Sequence, residues 1–404
     1  MRPNSSLKVY PRLDTEFKKK DSLDFQRTQG NVYKQRPTGN HIQGFLWIAC
    51  LIIGATMGTL AFLLDFIVDH LMVLRWEITQ AAMGASWVAA LLVLVVFSMG
   101  LIIISSFLTV YVAPTATGSG VAEAMGLLNG VSYPNYISIK TLLVKFFGLA
   151  FAVAAGICGG KEGPLIHMGS IVGFAIPYLN VTGLFKYFRN DTEKRKLMAA
   201  GIAAGVSAAF GAPIGGSLFA YEMSKPNTFW SFSLTWKVFF SASISTFVLT
   251  ILKQVYHGEP HIKLINSGNI KLAAIEDEIY MDALFAAGII GILGGAVGSL
   301  FIRVNTLVNI VRKKVLTTKF IKVMEACLLI AITLTCFFFS AMIQNQCVDK
   351  INANGTLDRI VELGIDVKQF NCPDSQYNRL ATYLFDGQST VLRIFMTHGI
   401  TFDI

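Results

Sequence analysis

Two ionisable side chains, Lys161 and Glu162, lie inside a long apolar stretch, in the segment GGKEGPLIHMGS of residues 159–170. No other Asp, Glu, Lys or Arg occurs between Lys145 and Lys186. Glycine lets a backbone come close to a ligand, and a proline two residues after the glutamate suits the first turn of a helix. An acid inside an apolar stretch is costly and is therefore a functional candidate. The pattern predicts a helix that begins here and presents its first N–H groups to a ligand.

Two further apolar stretches are interrupted by Gly and Pro in the same way, at residues 114–120 and 211–216. Irregular backbone at membrane depth lines a cavity or is buried in protein, and interrupted helices are typical of transporter binding sites. Helix N-termini bind an anion through N–H groups and the helix dipole, with no fixed cation. Ser119 adds a hydroxyl donor. The three breaks together indicate a site for a small monovalent anion.

Glu162 has a specific use beside such a site, because its carboxylate can occupy the anion position as a tethered competitor. Protonation removes the charge of a carboxylate, so it would free this position for the anion. The alternative is structural: Lys161 and Glu162 could form an ion pair that only satisfies the start of the helix. His167, further along the same helix, is more simply a packed, hydrogen-bonded histidine than a proton relay.

The composition indicates a membrane protein built of helices. Of the 404 residues, 53% are hydrophobic and only 15% are charged, whereas about 25% are charged in soluble domains. Several stretches lack Asp, Glu, Lys and Arg and are about long enough to cross ~30 Å of hydrocarbon as a helix. These are residues 44–64, 78–122, 164–185, 199–221, 283–302 and 326–348. We therefore predict an all-α polytopic membrane protein.

The charge distribution predicts the topology. Basic residues cluster in the N-terminal segment 1–43 and at 186–196 and 303–322, which the positive-inside rule assigns to the cytosol. The same rule accounts for the net charge of +9 without a nucleic-acid partner. The loops 257–282 and 345–380 are predicted to lie on the opposite side.

The predicted loop 345–380 has features of a non-cytosolic segment. Cys347 and Cys372 could form a disulfide there, and Asn354 begins a glycosylation sequon. The other cysteines lie in apolar stretches and are most simply core residues; they are Cys50, Cys158, Cys327 and Cys336. No Cys/His spacing is typical of a zinc site, and no Walker-type loop or nucleophile–base pair is recognisable, so we predict neither a metal site nor an enzyme.

Three segments resemble the CLC chloride channels and chloride/proton exchangers. These are GSGVAE (118–123), GKEGPLIH (160–167) and AAGIAAGVSAAFGAPIGGSLFAYE (199–222). The resemblance implies a bundle of two inverted repeats with broken, tilted helices, and a homodimer with one pore per subunit. DSLDF (21–25), KYFRNDTEKRK (186–196) and the loop with two cysteines are most similar to the late-endosomal and lysosomal branch. The branch implies an endosomal or lysosomal membrane rather than the plasma membrane.

The resemblance also implies roles for single residues. Ser119, together with Gly120, would bind the central chloride, and Glu162 would be the gating glutamate. Backbone amides would lie near the same anion at three further residues, which are Gly160, Gly163 and Leu165. Chloride is then the transported ion, and no cofactor is implied.

The sequence departs from the family pattern in three ways. Ala122 stands where many members have proline, so a preference for chloride over nitrate is not implied. Met223 stands where exchangers carry their internal proton-accepting glutamate, and a thioether cannot hold a transported proton. Residues 44–256 resemble a complete first repeat, but 283–344 only begin the second and 381–404 form a partial helix. We therefore expect a truncated chain that does not conduct by itself.

These observations predict chloride permeation across a membrane, gated by protonation of Glu162, with weak or no proton coupling because of Met223. Two alternatives within the family remain open: chloride/proton exchange in endolysosomes that uses a different acid, and a truncated, non-conducting subunit that modulates a longer partner. An unrelated cation transporter is a further alternative. It would need several carboxylates along the broken helices, and only Glu123, Glu162 and Glu222 lie near them.

Overall fold

The computed structural model describes residues 40–179, 188, 190–224, 230–258, 281–344, 347–350, 367–373, 375–387 and 391. Asn354, residues 1–39 and most of the loop 257–282 and of the segment 381–404 lie outside the described residues. The chain divides into two compact units, one of residues 1–269 with 386–389 and one of residues 270–385 with 390–404.

The first unit contains eight α-helices in its described part, and α6 is central to their packing. The helices are α1 (Asn40–Met83), α2 (Trp87–Phe107), α3 (Val121–Leu128), α4 (Ile139–Ala154), α5 (Glu162–Ala175), α6 (Asp191–Phe210), α7 (Pro213–Ser224) and α8 (Phe232–His257). Every residue of α6 from Leu197 to Ala209 is buried, because α1, α5, α7 and α8 all pack against this helix. Its small side chains allow this number of close neighbours.

Helix α1 runs for 44 residues and continues well past the predicted span 44–64. Asp65 and Asp69 follow the apolar stretch 44–64, but the helix does not end at these residues. The Asp65 carboxylate contacts the ammonium groups of Lys161 and Lys253, so its charge is compensated within the protein. A compensated charge does not force a helix to end at the membrane surface.

The three predicted breaks are present, and three of the predicted apolar stretches are therefore not single spanning helices. A π-helical turn (Leu108–Val112) and a 3-10 turn (Pro114–Ala116) separate α2 from α3. The stretch 164–185 contains α5 from its third residue to its end at Ala175, followed by a 3-10 turn at Ile176–Tyr178. The stretch 199–221 is divided at Gly211 between α6 and α7. Gly211 adopts φ +68°, a left-handed conformation that ends a helix at little cost when the residue is glycine.

Glycines bring α5 and α6 into backbone contact. A Cβ atom on Gly169 would overlap the carbonyl oxygen of Gly201, and a Cβ on Gly201 would overlap that of Gly169. A Cβ on Gly205 would overlap the carbonyl oxygen of Leu165 in the same way. This close approach fixes α5, and with it the position of the helix N-terminus that carries Glu162.

The second unit contains α9 (Met281–Val315), α10 (Lys319–Ile343), β1 (Cys347–Asp349), β2 (Gln376–Asn378) and α11 (Arg379–Phe385) in its described part. Arg312 of α9 donates two hydrogen bonds to the Glu325 carboxylate of α10, at 2.6 and 2.8 Å. The two short strands are antiparallel, and a disulfide joins Cys347 to Cys372 with Cα atoms 5.7 Å apart.

Among the described residues, five helices are long and apolar enough to cross a membrane: α1, α2, α8, α9 and α10. The predicted all-α polytopic membrane fold is confirmed. Cys50 and Cys327 are buried as predicted, but Cys158 and Cys336 are exposed. Cys158 lies in the turn between α4 and α5 and is exposed among the described residues, so the prediction of a core position is wrong there.

Candidate anion site

The first break places Ser119 in a turn between two glycines with left-handed backbone. Gly118 and Gly120 have φ of +72° and +79°, which a residue with a Cβ rarely adopts. Ser119 is exposed, and its Oγ lies 3.4 Å from the backbone N of Val121, the first residue of α3. Within the described part of the chain, the backbone N–H groups of Ser119 and Gly120 donate to no acceptor. The turn therefore offers a hydroxyl and free N–H groups to a ligand.

The second break places Glu162 at the first position of α5. Its carboxylate folds back against Gly160, since a Cβ on Gly160 would overlap Glu162 Oε2. Glu162 is half-buried, and it forms no ion pair with any residue that the structure describes. The negative charge thus occupies the positive end of the helix dipole, where an anion would also be stabilised.

The turn at Ser119 and the first turn of α5 are in contact. A Cβ on Gly163 would lie 2.6 Å from the Cβ of Ser119, so only a hydrogen fits between the first turn of α5 and the serine. The structure therefore brings the Ser119 turn against Gly163 in the first turn of α5, and the carboxylate of Glu162 in the same turn lies against Gly160.

Lys161 is directed away from Glu162. Its ammonium group contacts the Asp65 carboxylate of α1, and Lys253 of α8 donates to the other oxygen of the same carboxylate at 2.6 Å. The Asp65 side chain is only 13% exposed. The alternative in which Lys161 and Glu162 pair with each other is therefore wrong. No local sequence pattern could indicate the Asp65 pairing, since 96 positions separate the two partners.

Lys145 and Tyr136, which were not among the predicted anion-site residues, donate hydrogen bonds to the Ser119 turn, and His167 packs against Tyr136. Lys145 of α4 donates to the carbonyl oxygens of Ala116 (3.0 Å) and Gly118 (2.6 Å). The Tyr136 hydroxyl donates to the carbonyl oxygen of Gly120 at 2.6 Å. The Tyr136 ring stacks on His167 of α5, with centroids 3.8 Å apart and planes inclined by 9°.

His167 is packed and hydrogen-bonded, in keeping with the simpler prediction. Its Nε2 lies 3.2 Å from the Tyr136 carbonyl oxygen, and the ring leaves no space for a side chain at Gly120.

Two predicted site residues lie apart from these contacts. The side chain of Leu165 is fully buried, and its N–H donates to the Lys161 carbonyl at 3.0 Å, which leaves it the weakest of the predicted anion donors. Met223 of α7 is 4% exposed and packs in the hydrophobic core of the first unit.

The family model described as "Voltage gated chloride channel" matches residues 100–399, a range that includes both halves of this site. The chain belongs to the voltage-gated chloride channel family. The resemblance predicted from the three sequence segments is confirmed.

Relatives in this family include exchangers and channels by name. The chain is 32% identical over 391 residues to "H(+)/Cl(-) exchange transporter 7" of Homo sapiens, which covers 91% of this chain and 47% of the relative. It is 33% identical over 306 residues to "Chloride channel protein D" of Dictyostelium discoideum, which covers 72% of this chain and 29% of the relative. The chain thus spans about half the length of these relatives or less.

Solved structures with the same fold are also transporters. A slow cyanobacterial Cl⁻/H⁺ antiporter superposes with a TM-score of 0.60 at 25% identity, covering 72% of this chain and 63% of the antiporter. A eukaryotic CLC transporter superposes with a TM-score of 0.57 at 24% identity, covering 74% of this chain and 53% of the other. The second likeness concerns the fold alone.

Proposed function

We propose that this protein lets chloride cross a membrane and that protonation of Glu162 opens the path. The observation that carries the proposal is the position of the Glu162 carboxylate, which lies against Gly160 at the N-terminus of α5, beside the Ser119 turn. An ionised carboxylate and chloride are both stabilised by the same helix terminus, so they compete for it. A protonated carboxyl group no longer competes.

Among the residues that the structure describes, no ammonium group pairs with the Glu162 carboxylate, which supports fast exchange of the anion. A cation beside the site would hold chloride, since opposite charges about 4 Å apart attract by about 4 kcal/mol at an effective dielectric constant near 20. Lys161 is adjacent to Glu162 in sequence, but Asp65 holds its ammonium group. The anion would then be bound by dipoles and a hydroxyl, which is strong enough for selection and weak enough for release.

We further propose that proton coupling is weak or absent. Met223 occupies the position of the proton-accepting acid in exchangers, and its thioether lies in a core of apolar side chains. The rival proposal is chloride/proton exchange, and the name of the human relative favours it. Exchange would require an acid at another position, and Glu222, next to Met223 in α7, is the nearest in sequence.

Assembly and location follow from the family resemblance. We propose a homodimer with one anion path per subunit in an endosomal or lysosomal membrane, with the disulfide of Cys347 and Cys372 and the sequon at Asn354 on the luminal side. Disulfides persist in such non-cytosolic compartments.

Flux measurements in liposomes test the proposal. Chloride efflux and proton uptake are recorded together, with an outward chloride gradient and a potassium–valinomycin clamp. Chloride efflux without uphill proton movement would support the proposal, and it would overturn the expectation that the partial second repeat leaves this chain non-conducting. Uphill proton movement that depends on the chloride gradient would instead establish exchange. If the chain gives no efflux at any pH between about 3 and 8, a range that spans the usual carboxyl pKa of about 4.3, and binds no chloride in calorimetry, anion transport is rejected.

A further inference from the structure

We propose that Lys145 and Tyr136 are positioning residues of the anion site, which hold the Ser119 turn with its N–H groups towards the ligand. This inference rests on the proposed function and extends it to two side chains that do not touch the anion. The observation behind it is that both side chains donate to carbonyl oxygens of one turn, those of Ala116, Gly118 and Gly120.

Because of the geometry of the peptide unit, these hydrogen bonds determine the direction in which the backbone N–H groups of the turn point. In a planar trans peptide, the C=O of one residue and the N–H of the next point in opposite directions. Because Lys145 binds the Gly118 carbonyl, the N–H of Ser119 points away from Lys145. Because Tyr136 binds the Gly120 carbonyl, the N–H of Val121 points away from Tyr136. The carbonyl oxygens, which would repel an anion, are thereby kept on the far side.

The turn needs such external support because its own sequence does not fix it. Gly118 and Gly120 flank Ser119, and glycine adopts positive and negative φ with similar ease. A rotation of the Gly118–Ser119 peptide would therefore cost little locally and would turn a carbonyl oxygen towards the anion. Lys145, which binds the Gly118 carbonyl, resists this rotation. Tyr136 holds the next but one peptide, Gly120–Val121, whose carbonyl oxygen also accepts from the Ala124 N–H of α3 at 3.0 Å. The Lys145 side chain is 3% exposed and Tyr136 is 2% exposed, so water does not readily replace either bond.

The same contacts link the turn to the helix that carries Glu162. Tyr136 stacks on His167, and His167 lies against Gly120, so the Tyr136 ring and hydroxyl connect α5 to the turn. Ser119 touches Gly163 directly. The Ser119 donors and the α5 terminus consequently keep a fixed spacing, which a shared anion requires.

The test compares two variants with matched controls in the 404-residue chain. Tyr136→Phe removes one hydroxyl and keeps the ring stack, and Tyr133→Phe makes the same change outside the turn. Lys145→Met removes the donor and keeps the chain length, and Lys140→Met makes the same change at an exposed position of the same helix. Lys145→Arg retains donors and serves as the conservative variant.

Two quantities are measured for each protein: the chloride Kd by calorimetry and the melting temperature in chloride-free gluconate. We expect the chloride Kd to rise about fivefold in Tyr136→Phe and about tenfold or more in Lys145→Met, since the second change removes charge-assisted hydrogen bonds. Lys145→Arg should recover part of the loss, and both controls should stay within about twofold of wild type. A structural role alone would lower the melting temperature and leave the Kd of the folded fraction unchanged.

The outcomes separate this inference from the proposed function. If the wild-type protein binds chloride and both variants bind it with the wild-type Kd, the positioning role is wrong and the anion site stands. If the wild-type protein binds no chloride, the proposed function fails and this inference fails with it. If Lys145→Met does not fold, Tyr136→Phe decides, because it removes a single hydroxyl.

Discussion

The substitution Asp65→Asn tests whether the protein keeps Lys161 away from Glu162. Asparagine retains the shape of the side chain and removes its charge, so the ammonium groups of Lys161 and Lys253 lose their shared partner. Asp69→Asn is the matched control, because it makes the same change one turn further along α1 on an exposed residue.

The cost in stability follows from the exposure of the two ion pairs. Asp65 and Lys161 are 13% and 19% exposed, and removing one partner of a largely buried pair costs about 3 to 5 kcal/mol. Lys253 is 38% exposed, so its pair contributes only about 0 to 1 kcal/mol. Since asparagine still accepts one hydrogen bond, we expect a loss near the lower end, about 3 kcal/mol.

The substitution should also change the pH dependence of transport. A released Lys161 ammonium about 5 Å from the Glu162 carboxylate would attract it by about 3 kcal/mol at an effective dielectric constant near 20. This attraction favours the ionised, blocking carboxylate, so a lower pH is needed to open the path. We expect the pH of half-maximal chloride efflux to fall by about 1 to 2 units, since one unit corresponds to about 1.4 kcal/mol.

The assay is chloride efflux from liposomes over a pH series, with a thermal melt of each protein in detergent. An unchanged pH profile in a folded Asp65→Asn protein would refute the idea that Asp65 restrains Lys161. An equal shift in Asp69→Asn would attribute the effect to the total charge of this region instead of to the Asp65–Lys161 pair.

Three further predictions concern other parts of the molecule. Gly201→Ala should lower the free energy of unfolding by about 1 to 3 kcal/mol or more, because its Cβ would overlap a backbone oxygen of α5. Gly100→Ala is the control: its Cβ would meet no atom within 4 Å, so it should be neutral or stabilising in thermal melts. Met223→Glu should introduce chloride-driven proton movement in the liposome assay; flux that stays uncoupled in a folded variant would contradict the role given to this position. Maleimide–polyethylene glycol labelling of the denatured protein should add four tags before reduction and six after, because Cys347 and Cys372 are bonded; six tags before reduction would exclude the disulfide.

Local signals made the helix breaks predictable. Gly118 and Gly120 adopt the left-handed conformation that glycine allows, Gly211 ends α6 in the same conformation, and Pro213 begins α7. Such conformations depend on the residue itself and its neighbours, so the sequence contains the information. The start of α5 was predictable in the same way, because the helix begins at Glu162, two residues before Pro164.

Long-range pairing could not be predicted from one sequence. Lys145 binds carbonyl oxygens that lie 27 and 29 positions away, and its partners are backbone atoms that any residue possesses. Asp65 resembles an interfacial carboxylate in the sequence, because a charge after an apolar run usually marks the end of a span. Only the packing of α1 against α8 shows that Lys253 and Lys161 compensate it.

The most direct test of the central claim is the pH dependence of chloride efflux in Glu162→Gln, with Glu123→Gln as the control at the start of α3, the other broken helix of the site. Glutamine resembles the protonated acid and cannot compete with chloride as an anion. We expect Glu162→Gln to give efflux at neutral pH equal to that of the wild-type protein at acid pH, with no further change on acidification. Efflux that still rises with acidification as in the wild type would contradict the assignment of Glu162 as the gate.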